Sequence, residues 1–146
     1  PITASTKGMN KMGIKQISIF TPYTSEINDS VCGYFEKENF KVNDLSYFDI
    51  ASDLDIGKVD PNYLFEVLKK IDLSKSDALF ISCTALPVLS LIDDLENVLD
   101  KPVISSNQAL IWDSLKQINS NYVVEGCGKL FKSWVWILQM KNTKLD

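Results

Sequence analysis

Residues 78–84 read Ala-Leu-Phe-Ile-Ser-Cys-Thr, an apolar run of four that gives way at once to three small polar or reactive residues. A short apolar run of this kind is typical of a strand that is buried on both faces of a parallel sheet. Further candidate strands lie at residues 16–20, 41–48 and 103–104, and segments with helical periodicity separate them. Strands that alternate with helices predict an α/β fold, either Rossmann-like or flavodoxin-like, with helices on both faces of the sheet.

Capping residues predict where several helices begin and end. The first helix is expected over residues 3–12, and Gly13 is placed to end it in a left-handed conformation. Another helix is expected to begin at Asp60 and Pro61, which supply a side-chain cap and a proline at the first helical position. A polar loop is expected over residues 49–59.

Further helices are expected to follow three strand ends. One begins at Thr24 or Ser25. One follows directly after Cys83, and one follows Asn107 with Leu110 and Ile111 on its periodic apolar positions. The pair Val123-Val124 is a candidate for a last strand.

The composition is that of one domain and excludes several kinds of site. The chain has 146 residues, no histidine and a net charge of −4, without a basic block. The absence of histidine excludes Ser-His-Asp and Cys-His nucleophiles and every metal site with imidazole ligands. We expect no nucleic-acid or membrane partner, because there is no cationic patch, no apolar run of membrane length and no visible leader.

The three cysteines, Cys32, Cys83 and Cys127, form no C-x-x-C pair. Neither a dithiol redox motif nor a zinc knuckle is therefore available, and free thiols are typical of a reducing cytoplasm. No G-x-G-x-x-G or P-loop pattern occurs at any strand end. The sequence therefore predicts a cytoplasmic protein with no metal and no cofactor.

The strand ends carry the candidate site, because ligands of parallel α/β sheets bind at the carboxyl ends of the strands. Cys83 is the strongest candidate. Free backbone N–H groups and the start of the following helix are expected to stabilise its thiolate, in a cleft open to water. A thiol placed in this way can move a proton to or from carbon. The alternative is a cysteine packed in the core.

Five further residues are candidates for binding the substrate. Ser82 and Thr84 flank the thiol. Tyr23 follows a strand and a proline, and its hydroxyl is suited either to holding a carboxylate or to a structural role. Asn107 is suited to ligand binding or to capping the next helix. Asp53 lies in a loop that either closes over the pocket or is simply solvated.

Four motifs occur in order along the chain. They are Phe20-Thr-Pro-Tyr23 with Asn28, Ala78-Leu-Phe-Ile-Ser-Cys83-Thr-Ala-Leu-Pro87, Lys101-Pro-Val-Ile-Ser-Ser-Asn-Gln-Ala109 with Trp112, and Val124-Glu-Gly-Cys-Gly-Lys-Leu130. This series resembles the motifs of maleate cis-trans isomerases and arylmalonate decarboxylases, a group within the aspartate/glutamate racemase superfamily. The ectoine-utilisation proteins of the same superfamily are also close in pattern.

The resemblance implies a fold of two similar α/β halves that each supply one cysteine to a site between them. Cys83 matches the cysteine of the second half, and nothing matches the first. Residues 1–131 are therefore expected to form the second half-domain of an N-terminally truncated member, with residues 132–146 as an apolar tail that contains the stretch 134–138.

The chemistry implied by the resemblance is cofactor-independent isomerisation of a small dicarboxylic acid, with racemisation or decarboxylation as alternatives. Cys83 would act as the acid/base, while Tyr23 and the N–H groups around Thr84 would hold the carboxylates. The intact family member is expected to be a homo-oligomer. The remaining alternative is an inactive half-domain that only binds a small acid or a partner protein.

Overall fold

Four parallel strands form the sheet in the computed structural model, which describes residues 1–120, 122 and 124–132. The strands are β1 (Gln16–Thr21), β2 (Lys41–Tyr47), β3 (Ala78–Ile81) and β4 (Val103–Ser105). They lie in the order β2-β1-β3-β4, which is the order of a flavodoxin-like sheet. The α/β prediction is confirmed, and the strand order reverses between β1 and β3.

The helices largely follow the expected boundaries. They are α1 (Ile2–Lys11), α2 (Ser25–Lys37), α3 (Asp53–Ile56), α4 (Pro61–Leu68), α5 (Ile92–Leu99) and α6 (Ser106–Gln117), with a 3-10 turn at Leu89–Leu91. Gly13 has a φ of +73°, as its role in ending α1 requires. The Asp60 carboxylate accepts a hydrogen bond from the Tyr63 N–H at 2.9 Å and so caps α4.

The sheet is covered on both faces, as the apolar character of β3 predicts. Ala78 and Phe80 pack with α1, α2 and α6, whereas Leu79 and Ile81 pack with α3, α4 and α5. All four side chains of β3 are fully buried. The core is therefore two apolar layers separated by the sheet, and both layers end at the carboxyl edge of the strands. Within the described residues, no helix is long and apolar enough to cross a membrane.

The expected helix directly after Cys83 is wrong. Residues 82–88 form an irregular loop, and α5 begins only at Ile92, after the 3-10 turn. Pro87 gives the physical reason, because a proline disfavours helical backbone at the residue before it. The polar stretch at residues 49–59 is also not wholly a loop, since it contains α3.

Other differences concern the C-terminal third. Leu110 and Ile111 are 42% and 40% exposed, because α6 turns a different face, which includes Ala109 and Trp112, toward the core. Val124 is not in a strand. Val123 and the stretch 134–138 lie outside the described residues.

Two carboxylates of α5 hold residues 126–132, which we call the docked segment. The Gly128 N–H donates to Asp93 Oδ1 at 2.8 Å, and the Lys129 N–H donates to Glu96 Oε2 at 2.8 Å. Residues 128–132 are helical, so the two carboxylates satisfy N–H groups at the first turn of a helix, where negative charge is favourable. Asp93 and Glu96 therefore attach the docked segment to the domain.

We predict a pH-dependent contribution of Glu96 to stability. Burial raises the pKa of this carboxyl above its ordinary value of 4.5, and the opposing hydrogen bonds from the N–H groups of Val103 and Lys129 do not cancel that effect. The folded chain then binds the proton more tightly than the unfolded chain, so the stabilising contribution is complete below the ordinary pKa and is lost as pH rises through the raised one. The free energy of unfolding of wild type minus that of Glu96→Gln should therefore be largest near about pH 4 and decrease toward neutral pH.

Urea denaturation at a series of pH values measures this difference. Asp94→Asn, which removes an exposed carboxylate from the same helix, controls for the loss of one negative charge. A wild-type advantage over Glu96→Gln that grows as pH rises would contradict the interpretation.

Candidate active site

The residues that follow β1 and β3 meet where the strand order reverses. Phe20 of β1 pairs with Ile81 of β3, and Tyr23 and Cys83 follow shortly after these two residues. The Tyr23 side chain lies close enough to the side chains of Cys83 and Ser82 for both to act on the pKa of its phenol. The structure thus brings together three predicted site residues from two distant parts of the chain.

The Tyr23 phenol is kept in its protonated form. Burial is the largest cause that raises its pKa, followed by the neighbouring Cys83 side chain, and the pKa reaches about 12. Ser82 acts in the opposite direction and lowers this pKa. Tyr23 therefore stays protonated near neutral pH, beside the Cys83 thiol.

Asp53 lies near this group but is exposed to solvent. It occupies the first turn of α3, and its negative charge adds slightly to the raised pKa of Tyr23. The side chain is therefore at the border of the site, and it brings a negative charge there.

The backbone of Cys83 is strained. Its φ is +112°, in a region that residues with a Cβ rarely adopt and that costs about 1–3 kcal/mol. Two side chains of α6 hold the backbone in this conformation. The Ser106 Oγ accepts from the Cys83 N–H at 3.3 Å, and the Asn107 Nδ2 donates to the Thr84 carbonyl at 2.9 Å.

Ser106 was missed by the sequence analysis, and Asn107 has a different role from either of those expected. The helix cap is Ser105, which accepts from the Gln108 N–H in a capping box, so the expectation that Asn107 caps α6 is wrong. Ser105 is still extended, with φ −110° and ψ 157°, and the helix therefore begins one residue later, at Ser106. The signal that was available is the polar run at residues 105–107, which ends the strand next to β3.

One backbone amide contacts the sulfur, whereas the expected helix N-terminus does not lie beside it. The Ala85 N–H donates to the Cys83 Sγ at 3.3 Å. The first residue of α5 is Ile92, too far along the chain for its N-terminus to act as the expected partner. Among the described residues, the Thr84 N–H has no hydrogen-bond partner and Thr84 is exposed, so this amide is available to a ligand oxygen.

The three thiols differ in their surroundings. Cys83 is only 5% exposed, so the expectation of a thiol in a cleft open to water is wrong. Leu86 and Val88 of the following loop pack in the same apolar layer as Cys83. Cys32 and Cys127 are half-buried, and burial is the largest cause that raises the pKa of each. Neither of these two thiols is therefore placed to form a thiolate more easily than an ordinary cysteine.

Comparison with known proteins assigns this arrangement to a family. The sequence profile of the family arylmalonate decarboxylase matches residues 2–131. The chain belongs to the arylmalonate decarboxylase family. Among its curated relatives, the maleate isomerase of Geobacillus stearothermophilus is 30% identical over 124 residues, which are 84% of this chain and 49% of that protein. The arylmalonate decarboxylase of Bordetella bronchiseptica is 24% identical over 132 residues, or 88% of this chain and 55% of that protein.

Solved structures of the arylmalonate decarboxylase family have the same fold. The maleate isomerase of Pseudomonas putida S16 with maleate has a TM-score of 0.85 at 26% identity, over 90% of this chain and 53% of that one. The maleate cis-trans isomerase of Nocardia farcinica, with a covalently bound succinylcysteine intermediate, has a TM-score of 0.83 at 25% identity. That match covers 88% of this chain and 53% of the other one. These matches confirm the predicted resemblance. The chain spans about half the length of the curated relatives it matches.

For this member of the arylmalonate decarboxylase family, we predict that glycine at position 83 is better tolerated than alanine. Both substitutions remove the thiol, but only alanine keeps the Cβ that makes a φ of +112° unfavourable. The free energy of unfolding of Cys83→Gly should therefore exceed that of Cys83→Ala by about 1 kcal/mol, measured by urea denaturation. Cys32, inside α2, is the matched control, because there glycine should be less stable than alanine by about 0.5–1 kcal/mol. If the alanine variant were more stable than the glycine variant at both positions, the Cys83 backbone would not be strained.

Proposed function

We propose that this chain supplies the acid/base half of a cofactor-independent enzyme that isomerises a small dicarboxylic acid through Cys83. The observation that carries the proposal is the strained Cys83 at the switch point, whose sulfur accepts a hydrogen bond from the Ala85 amide and lies beside the Tyr23 phenol. The relatives named maleate isomerase support a dicarboxylate as substrate. The succinylcysteine intermediate in one of them supports chemistry at cysteine.

Neutral donors would bind the substrate. A substrate carboxylate that accepts a hydrogen bond from the Thr84 N–H would also lie beside the loop that contains Tyr23. Preorganised N–H and O–H donors of this kind stabilise the negative charge of an enediolate as it develops. Asn107 would keep the Thr84 peptide oriented through its bond to the carbonyl. Ser82 would polarise the phenol, and Asp53 would border the entrance.

The proposed role of Cys83 is proton transfer at the carbon next to the substrate carboxylate. The thiol delivers a proton to that carbon, or the thiolate removes one, and the electron pair moves between the carbon and the carboxylate. When the thiol has lost its proton, the Tyr23 hydroxyl stabilises the resulting charge on sulfur. The step needs neither a metal nor a coenzyme, because the thiol itself carries the proton.

Isomerisation of maleate requires more than this proton transfer. A thiolate adds to one carbon of the double bond, rotation about the new single bond follows, and loss of the thiolate gives the trans acid. In the two-half architecture of the resemblance, the cysteine that adds belongs to the other half, and Cys83 assists it. Racemisation and decarboxylation share the same stabilised carbanion and are the alternatives within this superfamily.

A second candidate is a half-domain that binds a small acid without turnover. The exposed Thr84 amide, which has no hydrogen-bond partner among the described residues, favours it. The cysteines are free in the structure, which supports the proposed location in a reducing cytoplasm. The resemblance supports a homo-oligomer as the assembly of the intact family member.

Ligand-dependent thermal stability of this chain, and an activity assay on the chain together with the half that supplies the other cysteine, distinguish the candidates. We expect maleate to raise the Tm of the chain more than aspartate does, with malonate as a non-isomerisable diacid, since a ligand stabilises the state it binds. Conversion of maleate by the two halves, followed by ¹H NMR, should fall at least about 100-fold in Cys83→Ala, because a positioned acid/base group contributes about that much or more. Cys32→Ala should retain both properties.

Stabilisation without conversion would support the binding half-domain. If none of the three acids raised the Tm, both candidates would fail. Undiminished conversion in Cys83→Ala would contradict the assignment of the thiol.

A further inference from the structure

Two polar side chains beneath the Tyr23 loop are completely buried, although neither belongs to the site described above. Thr21, the last residue of β1, and Asn28, in α2, both have 0% exposure. Buried polar groups are costly unless they are hydrogen-bonded, so the partners of these two side chains show what the pair is used for.

The partners form a closed ring around Tyr23. The Tyr23 N–H donates to the Thr21 Oγ1 at 3.2 Å, and the Thr21 hydroxyl donates to the Asn28 Oδ1. The Asn28 Nδ2 in turn donates to the Tyr23 carbonyl at 3.2 Å. Both backbone polar groups of Tyr23 are thus fixed by side chains, and each side chain uses a donor and an acceptor within the ring.

From this ring we infer that Thr21 and Asn28 are positioning residues, which fix the Tyr23 backbone so that its phenol stays against Cys83. Tyr23 lies outside any helix or strand, and Pro22 before it has no N–H to contribute to the sheet. Among the described residues, the two hydrogen bonds of the ring are the only ones that fix the Tyr23 backbone. Only the role of Tyr23 in binding a substrate rests on the proposed function; the positioning of Tyr23 by Thr21 and Asn28 does not.

The chain offers a matched pair of variants at position 21. Thr21→Val keeps the branched shape and removes the hydroxyl, whereas Thr21→Ser keeps the hydroxyl that both accepts from Tyr23 and donates to Asn28. Asn28→Ala opens the ring from the other side. A residue that acted only through packing would respond to the loss of a methyl group in Thr21→Ser, and not to the loss of the hydroxyl in Thr21→Val.

The ionisation of Tyr23 reports its position without any need for substrate. ¹³C-ζ-tyrosine labelling of the full chain, with Tyr23→Phe to assign the signal, follows this phenol by NMR. The titratable groups that act on it are Cys83 and Asp53, and both remain in every variant. At about pH 11 a phenol with a pKa of about 12 is about one tenth ionised, and one that has returned to 10.0 is about nine tenths ionised.

We expect Tyr23 to be mostly ionised at about pH 11 in Thr21→Val and Asn28→Ala, and mostly protonated in wild type and Thr21→Ser. Circular dichroism on the same samples checks that they are folded. A Tyr23 pKa that is unchanged in folded Thr21→Val and Asn28→Ala would overturn the inference, as would a Thr21→Ser variant that behaves like Thr21→Val.

Amide hydrogen exchange in the unmodified chain tests the ring even if the variants do not fold. The Tyr23 amide should exchange at least about tenfold more slowly than in an unstructured peptide, because its N–H is bonded to a buried oxygen. Exchange at the unstructured rate would overturn the inference. None of these measurements involves an acid substrate. The proposed function can therefore fail while the ring is confirmed, and the ring can fail while the proposed function is confirmed.

Discussion

The hydrogen bond from the Cys83 N–H to the Ser106 hydroxyl holds the chain in the one turn on which the site depends. At a φ of +112° the backbone leaves β3 sharply, so the thiol stays at the sheet edge instead of continuing along the strand. Strain of this kind persists only where the surroundings oppose its release. Here β4 lies next to β3 and delivers the first turn of α6, with Ser106 and Asn107, directly to the strained peptide.

The charge balance of the site follows from the composition. All 15 basic residues of the chain are lysines, and there is neither arginine nor histidine. The polar groups beside the sulfur are accordingly neutral: the Ala85 amide, which donates a hydrogen bond to it, and the Tyr23 phenol. Neutral donors stabilise an anion without fixing it in a strong ion pair, which suits a thiol that must both release and recover a proton.

Local signals predicted most of the fold, and contacts between distant residues explain what was missed. Strand β3, the αL glycine Gly13 and the Asp60 cap depend on residues within a few positions of one another, and all were predicted correctly. The position of Cys83 was also predicted, because a strand end is visible in sequence. The role of Ser106 was not predicted. Its contact with the Cys83 N–H depends on β4 lying beside β3, and no local pattern encodes that pairing.

The central claim is that a substrate carboxylate binds at the Thr84 amide, beside Cys83. Titration of the ¹⁵N-labelled chain with malonate, a diacid that cannot be isomerised, tests it most directly by NMR. The account predicts that the Thr84 amide signal shifts the most and saturates together with that of Ala85. A saturable shift confined to other parts of the chain, with the Thr84 signal unmoved, would contradict it.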